Sequence, residues 1–180
     1  MNENHTIAFI GCGNLLASIV SGLIETGYPK EKLWATNRSA QRVNFFKEHA
    51  GINATDDNIE AVRQADVVVL GVKPQQMQAV VKQIAPIVKE NKPLVISVAV
   101  GVSVELIEKW LGGGAAIVRS MPNTPALIGA GAAGLYANNR VSGEQKTTAE
   151  SIHRAVGLAL WVKEETLIDA VAAVSGSGPA

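Results

Sequence analysis

The stretch TIAFIGCGNLLASIVSGL, residues 6–23, decides how this chain folds. An apolar run leads into a glycine turn at Gly11 and Gly13, and an apolar-periodic helix is predicted from about Asn14 onward. This order of strand, glycine turn and helix is typical of a dinucleotide-binding unit. The first glycine permits the tight turn, and the second lets backbone amides approach a pyrophosphate. The unpaired N–H groups and the positive dipole end of the helix then face the phosphates.

The third glycine of that fingerprint is missing, and Leu16 occupies its position. The third glycine normally allows the helix to pack closely against the strand. We therefore expect Leu16 to push the helix outward or to force repacking. We also expect its side chain to pack inside the protein and not to point at the cofactor. A plain structural turn remains the alternative interpretation of the loop.

Strands and helices alternate along the rest of the chain. Apolar, β-branched runs predict strands, and the periodic segments between them predict helices. The strands are predicted at 6–11, 32–37, 66–72, 93–100, 115–121 and 159–163, and the helices at 14–26, 39–51, 58–65, 74–88, 103–112 and 143–158. This pattern predicts an α/β fold, doubly wound and Rossmann-type, with a mostly parallel sheet. Its ligand should lie outside the carboxyl ends of the strands.

Composition narrows the functional classes. With 47% hydrophobic and 18% charged residues, the chain is typical of a well-buried globular protein. Sixteen basic and sixteen acidic residues balance without a block of like charge, so no nucleic-acid or membrane partner is expected. The single cysteine, Cys12, excludes an internal disulfide and the usual cysteine-based metal sites, so no metal is expected and Cys12 is interpreted as a small loop filler. The polar start MNENHT and the lack of a long apolar run predict a cytoplasmic protein.

The end of the second predicted strand indicates which nucleotide binds. An NAD-binding domain usually has Asp or Glu there to accept the ribose hydroxyls. The segment ATNRS, residues 35–39, has no carboxylate, and Arg38 stands there beside Asn37. A guanidinium with amide and hydroxyl neighbours suits a phosphate on the ribose. The sequence therefore predicts NADP(H) in preference to NAD(H); the alternative is that Arg38 is a solvated loop residue.

Two further loops follow strands at the same predicted edge. In GVKP, residues 71–74, Lys73 could face a phosphate or the reacting centre, while Pro74 begins the next helix. In RSMPNTPA, residues 119–126, two prolines hold a short polar loop in a fixed shape. We interpret this second loop as a nicotinamide and substrate contact, with a structural turn as the alternative.

The histidines are predicted to lie away from this edge. His5 precedes the first strand, and His49 and His153 fall inside predicted helices. Reduction of a ketone builds alkoxide charge and generally needs a positioned acid such as histidine. Reduction of a protonated imine needs only hydride delivery and orientation. The absence of a histidine at the edge therefore favours a C=N acceptor.

The motifs together resemble one family. FIGCGNLLASIVSGL, GVKP, VISVAVGV, MPNTPALIGAG and VSGSGPA occur in the order and approximate spacing of the pyrroline-5-carboxylate reductases, over essentially all 180 residues. Those enzymes use NAD(P)H to reduce the C=N bond of L-1-pyrroline-5-carboxylate to L-proline, the last step of proline biosynthesis. MPNTP and SGSGPA are more diagnostic of the family than the glycine loop.

The resemblance implies a set of contacts, although it assigns no catalytic residue within this chain. The implied cofactor-binding residues are Ile10, Gly11, Cys12, Gly13, Asn14 and Leu15 at the pyrophosphate, Asn37, Arg38 and Asn58 at the adenosine half, and Val72, Lys73, Pro74, Val98, Ala99 and Val100 along the cleft. The implied substrate-binding residues are Met121, Pro122, Asn123, Thr124 and Pro125, which would border the nicotinamide and the pyrroline.

The resemblance also implies a division into domains. Residues 1–164 would form the NAD(P)-binding domain, and residues 165–180 would begin a helical domain that makes a homodimer or higher homo-oligomer and supplies most of the carboxylate site. The chain alone is then expected to bind NADPH without reducing the substrate. The alternatives are another NADP-dependent reductase on the same fold, acting on a flavin-like coenzyme or a 3-hydroxy acid, and a non-catalytic NADP-binding regulator.

Overall fold

A computed structural model describes residues 5–173 of the chain. The described strands are β1 Ile7–Ile10, β2 Leu33–Thr36, β3 Asn53–Thr55, β4 Val67–Leu70, β5 Leu94–Ser97, β6 Ile117–Met121, β7 Gly131–Ala137 and β8 Gly157–Trp161. The α-helices are α1 Asn14–Glu25, α2 Ala40–Phe45, α3 Asn58–Arg63, α4 Pro74–Asn91, α5 Val104–Leu111, α6 Gly143–Arg154 and α7 Thr166–Val171. A π-helical turn, Phe46–Ala50, continues α2, and short 3-10 turns span Lys30–Lys32 and Thr124–Ile128.

The eight strands form one sheet in the order β3-β2-β1-β4-β5-β6-β7-β8. Neighbours from β3 through β6 are parallel, β7 runs antiparallel to β6, and β8 is parallel to β7. The direction of winding reverses between β1 and β4, and in open α/β sheets ligands bind at such a switch point. The predicted Rossmann-type fold with a mostly parallel sheet is confirmed.

Several predicted boundaries were wrong. Strands β3 and β7 were not predicted at all, because a three-residue strand gives little periodicity and GAAGLYA contains no β-branched residue. Helix α6 ends at Arg154 instead of 158, and β8 begins at Gly157 instead of 159. Helix α4 ends at Asn91 instead of 88. Strand β5 ends at Ser97 instead of 100, so residues 98–100 lie outside the strand.

Helices cover both faces of the sheet, and each face has its own apolar core. Phe9 belongs to one core, together with Leu16 and Ile19 of α1. Ile10 points into the other, together with Met77 of α4 and Ile107 of α5. Strands buried on both faces explain the unbroken apolar runs in the sequence. Within residues 5–173, no helix combines the length and the apolar character needed to cross a membrane.

A buried guanidinium attaches α7 to the sheet. Arg119 of β6 is 3% exposed and pairs with Glu165 at 3.0 Å and with Asp169 at 2.6 Å. The same Glu165 oxygen accepts the backbone N–H of Val104, the first residue of α5, at 2.8 Å. The predicted domain boundary after residue 164 lies just before this helix and stays a prediction. The motif SGSGPA, residues 175–180, lies outside the described residues.

Candidate functional site

The two glycines of the loop lack side chains for different reasons. Gly11 has a φ of +70°, and a Cβ there would lie 2.3 Å from Val72 Cγ1, so the protein's own packing requires glycine. A Cβ on Gly13 would meet nothing within 4 Å. Gly13 is the N-cap of α1, no side chain caps that terminus, and its first turn carries no acidic residue. The open space over Gly13 and the uncapped N–H groups of α1 fit a pyrophosphate, so the residues present are suited to binding a dinucleotide.

Leu16 packs inside the protein, as predicted. Its side chain is 1% exposed and belongs to the core beneath α1. Gly71, at the end of β4, makes room for it: a Cβ on Gly71 would lie 2.3 Å from Leu16 Cδ1 and 2.7 Å from Cγ. The expected repacking is therefore local. In the usual fingerprint a glycine in α1 lets the helix pack closely against the sheet. Here Gly71, in the turn after β4, provides that space instead.

A hydrogen-bond network joins the glycine loop to the end of β2 and to the first residue of α3. The Cys12 N–H donates to the Thr36 carbonyl at 2.7 Å, and the Gly11 N–H donates to Thr36 Oγ1 at 3.1 Å. The Thr36 hydroxyl also lies 2.7 Å from Asn58 Oδ1, and Asn37 Nδ2 donates to the Cys12 carbonyl at 3.1 Å. Sequence reasoning missed Thr36, although a hydroxyl at the end of β2 is visible in ATNRS. Asn37 and Asn58 thus hold the loop in shape as well as facing the cleft beside it.

The first cleft, on the β2 side of the loop, has a volume of about 460 Å³. Seven of the predicted cofactor residues line it, namely Gly11, Gly13, Asn37, Arg38, Asn58, Val72 and Lys73. Arg38 and Lys73 are exposed cations, so positive charge faces this space. Asp56, which follows β3, also lines it. Sequence reasoning missed this carboxylate because β3 was not predicted.

The second cleft, of about 280 Å³, lies on the other side of the α1 N-terminus. Asn14 and Leu15 form one wall, and Met121, Pro122, Asn123 and Thr124 form most of the other. The loop is fixed internally, because Asn123 Oδ1 accepts the Ala132 N–H at 2.8 Å. None of the residues lining this cleft is ionisable. Two clefts that flank one glycine loop suit the two halves of a dinucleotide.

Other predicted cofactor residues lie behind these clefts or beside them. Ile10 and Cys12 are fully buried, and burial raises the pKa of the Cys12 thiol to about 12, which fits a loop filler. Pro74 begins α4 as predicted, with Lys73 as the N-cap. The remaining ones lie outside the lining of both clefts: Pro74, Val98, Ala99, Val100 and, of the substrate set, Pro125.

No histidine lines either cleft in the described part of the chain. His153 of α6 is buried, and its Nδ1 lies 2.8 Å from the Ala149 carbonyl, so that nitrogen carries the proton. Nε2 therefore accepts a hydrogen bond from the Ser120 hydroxyl, with 2.9 Å between Nε2 and Oγ. Ser120 directly precedes Met121 of the second cleft. Burial lowers the pKa of His153, which keeps the ring neutral. Within residues 5–173 no group of His, Cys, Asp and Glu side chains could hold a metal ion.

Comparisons with known proteins agree with this geometry. A sequence profile of the family described as NADP oxidoreductase, coenzyme F420-dependent, matches residues 6–101. A pyrroline-5-carboxylate reductase of Pseudomonas aeruginosa is 50% identical over 175 residues, which are 97% of this chain and 63% of that protein.

Solved structures give the same result. A pyrroline-5-carboxylate reductase from Coxiella burnetii is 52% identical with a TM-score of 0.95, over 97% of this chain and 65% of that one. The Plasmodium falciparum pyrroline carboxylate reductase with NADP bound is 29% identical with a TM-score of 0.86, over 98% and 64% of the two chains. This chain therefore spans slightly less than two thirds of these relatives. It belongs to the family of NADP oxidoreductases, coenzyme F420-dependent, and within that family the predicted resemblance to the pyrroline-5-carboxylate reductases is confirmed.

Proposed function

We propose that the chain forms the cofactor-binding part of a pyrroline-5-carboxylate reductase, which transfers a hydride from NADPH to the C=N bond of L-1-pyrroline-5-carboxylate and yields L-proline. The observation that carries the proposal is the open space over Gly13, between two clefts that differ in charge. The relatives that match almost the whole chain bear this enzyme's name, and one of them was solved with NADP bound.

Different residues around the glycine loop would bind different parts of the dinucleotide. The first N–H groups of α1 would hold the pyrophosphate, and Arg38 and Lys73 would face the phosphate on the adenosine ribose. The nicotinamide, which supplies the hydride, would occupy the second cleft against Leu15 and Met121. Since that cleft has no ionisable side chain, this part of the chain contributes orientation and exclusion of water, with no proton transfer. Such a surface suits an imine that is already protonated.

Preference for NADPH over NADH is part of the proposal. Arg38 is exposed, lines the first cleft, and makes no hydrogen bond or ion pair within residues 5–173. Its guanidinium is thus available for a ribose phosphate. An Arg38→Asp variant should lose about tenfold or more in NADPH affinity, since a charge-assisted contact contributes about 1.5–3 kcal/mol, while NADH affinity changes much less. Titration by nicotinamide fluorescence tests this; equal affinities in the unmutated protein contradict it.

The activity is tested with protein expressed from the complete reading frame. Purified protein, NADPH and L-1-pyrroline-5-carboxylate should give loss of nicotinamide absorbance and an equal amount of L-proline. A Gly13→Ala variant is the matched control, because the added Cβ would enter the space over the loop and meet no protein atom within 4 Å. It should keep its unfolding midpoint and lose activity. Turnover of a 3-hydroxy acid but not of the imine would favour another reductase, and binding without turnover of either would favour a regulator.

Self-association and a cytoplasmic location belong to the same proposal. Leu158 and Leu160 of the edge strand β8 are 67% and 66% exposed, and an unpaired edge with apolar side chains favours contact with a second copy. Light scattering of the purified protein measures this, and a monomer at all concentrations contradicts it. A role in amino-acid biosynthesis supports the cytoplasm as its location.

A further inference from the structure

The first cleft contains a carboxylate that faces the same space as Arg38. Strands β2 and β3 are parallel neighbours, with Thr36 opposite Thr55, and the Asn37 N–H donates to the Thr55 carbonyl at 3.2 Å. The residues that follow the two strands therefore leave the sheet side by side. Arg38 follows β2, Asp56 follows β3, and both line the first cleft.

Asp56 differs from the carboxylate next to it in the chain. Asp57 Oδ1 accepts a hydrogen bond from the Ile59 N–H at 2.8 Å, so this carboxylate caps and stabilises α3. Asp56 is exposed and, in the part of the chain that the structure describes, has no hydrogen bond or ion pair. Nothing in the described fold needs its carboxylate. Its acceptor oxygens are available to a ligand in the cleft.

The two side chains favour different ligands at the adenosine ribose. A carboxylate accepts hydrogen bonds from a free ribose hydroxyl and repels a phosphate, whereas a guanidinium attracts the phosphate. We propose that Asp56 determines nucleotide selectivity in opposition to Arg38: it binds the free ribose hydroxyl of NADH and weakens the binding of NADPH. The cleft then accepts both dinucleotides, with a preference set by the balance of the two residues. This inference rests on the proposed function, since it needs a dinucleotide in the first cleft.

The test compares two variants that remove one negative charge at adjacent positions. Asp56→Asn should weaken NADH binding and strengthen NADPH binding, which shifts the ratio of their dissociation constants about tenfold toward NADPH. Asp57→Asn should leave that ratio unchanged, because asparagine also caps helices and the side chain lies outside the lining of the cleft. Both dissociation constants are measured by nicotinamide fluorescence at two salt concentrations. The NADPH gain of Asp56→Asn should shrink at high salt because it reflects charge repulsion.

Three results would overturn the inference, and they are distinguishable. Equal shifts in the two variants would mean that general charge acts, and not a contact of Asp56. A ratio that stays constant in Asp56→Asn would mean that its carboxylate does not meet the ribose. Failure of the unmutated protein to bind either dinucleotide would overturn the proposed function itself. Urea unfolding of each variant shows that the fold is retained before the constants are compared.

Discussion

The fit between Leu16 and Gly71 predicts that the cost of one substitution depends on the residue at the other position. A methyl group added at Gly71 would lie 2.3 Å from Leu16 Cδ1, about 1.1 Å inside the 3.4 Å at which ordinary contact begins. The neighbour is a side chain that is 1% exposed and packed on all sides, so it has little room to move. Overpacking of this kind costs about 1–3 kcal/mol, and we expect Gly71→Ala to lower the free energy of unfolding by that amount.

The second substitution should reverse the sign. Leu16→Ala alone should cost about 2–5 kcal/mol, because it leaves a cavity in the core, with NADPH affinity nearly unchanged. In that background the three atoms nearest to the added methyl group of Gly71→Ala, all in the Leu16 side chain, are gone. The φ of Gly71 lies outside the left-handed region, so alanine is not strained there. It should then be neutral or stabilising by up to about 1 kcal/mol, through the reduced freedom of the unfolded chain.

Urea unfolding followed by circular dichroism measures all four proteins of this cycle. The coupling between the two positions should be about 1–4 kcal/mol, with unchanged m-values. Gly143→Ala is the control, since a Cβ at that first residue of α6 meets nothing within 4 Å. A cost of Gly71→Ala that is the same with leucine and with alanine at position 16 would refute the packing argument. A large loss of NADPH affinity in Leu16→Ala would refute its assignment as a packing residue.

Three further predictions concern charge and the loop. Because burial lowers the pKa of His153 below its usual value of about 6.5, the unfolded chain binds a proton below that pH that the folded chain does not bind. The free energy of unfolding should therefore fall as the pH drops below about 6.5, and urea midpoints should show less of this fall in His153→Gln. Glu165→Ala should cost about 3 kcal/mol against about 1 for Asp169→Ala, since their side chains are 24% and 62% exposed beside the buried Arg119; equal costs in thermal unfolding would contradict this. Gly13→Ala should weaken NADPH binding at least tenfold in a fluorescence titration, with an unchanged unfolding midpoint; a shifted midpoint would mean that the glycine serves the fold.

Elements with a strong apolar pattern or a glycine turn were predictable from the sequence. The continuous run that forms β4 and the glycine turn before α1 identify the sheet and its ligand edge, because burial on both faces leaves little choice of residue. Strand β7 was not predictable in the same way. Its two glycines leave room for neighbouring elements: a Cβ on Gly134 would lie 3.1 Å from Val171 of α7, and one on Gly131 would lie 2.9 Å from Ala126. Small residues are favoured in β7 because other elements approach it closely, and contacts between segments distant in sequence leave no periodic pattern in the strand itself.

The site was predictable where it follows the chain and not where it depends on neighbouring strands. Arg38 was found because it follows a predicted strand directly. Asp56 lines the same cleft as Arg38, 18 positions away in sequence, because the parallel strands β2 and β3 end side by side. Gly71 meets Leu16, 55 positions away, through the packing of α1. A single sequence contains both residues but does not state which partner each one meets.

The Thr36 hydroxyl gives the first cleft a fixed polarity. A hydroxyl has one proton; since Thr36 Oγ1 already accepts the Gly11 N–H, that proton goes to Asn58 Oδ1. The Asn58 amide is thereby held with its oxygen turned inward and its nitrogen 3.2 Å from Gln83 Oε1, with a second N–H left over. An atom that meets this remaining Asn58 N–H in the cleft has to be an acceptor, such as a sugar or phosphate oxygen. With valine at position 36 the Asn58 amide loses this hydroxyl donor and can turn its oxygen toward the cleft, so a methyl group in place of the hydroxyl would remove the cleft's fixed preference for an acceptor beside the Asn58 nitrogen.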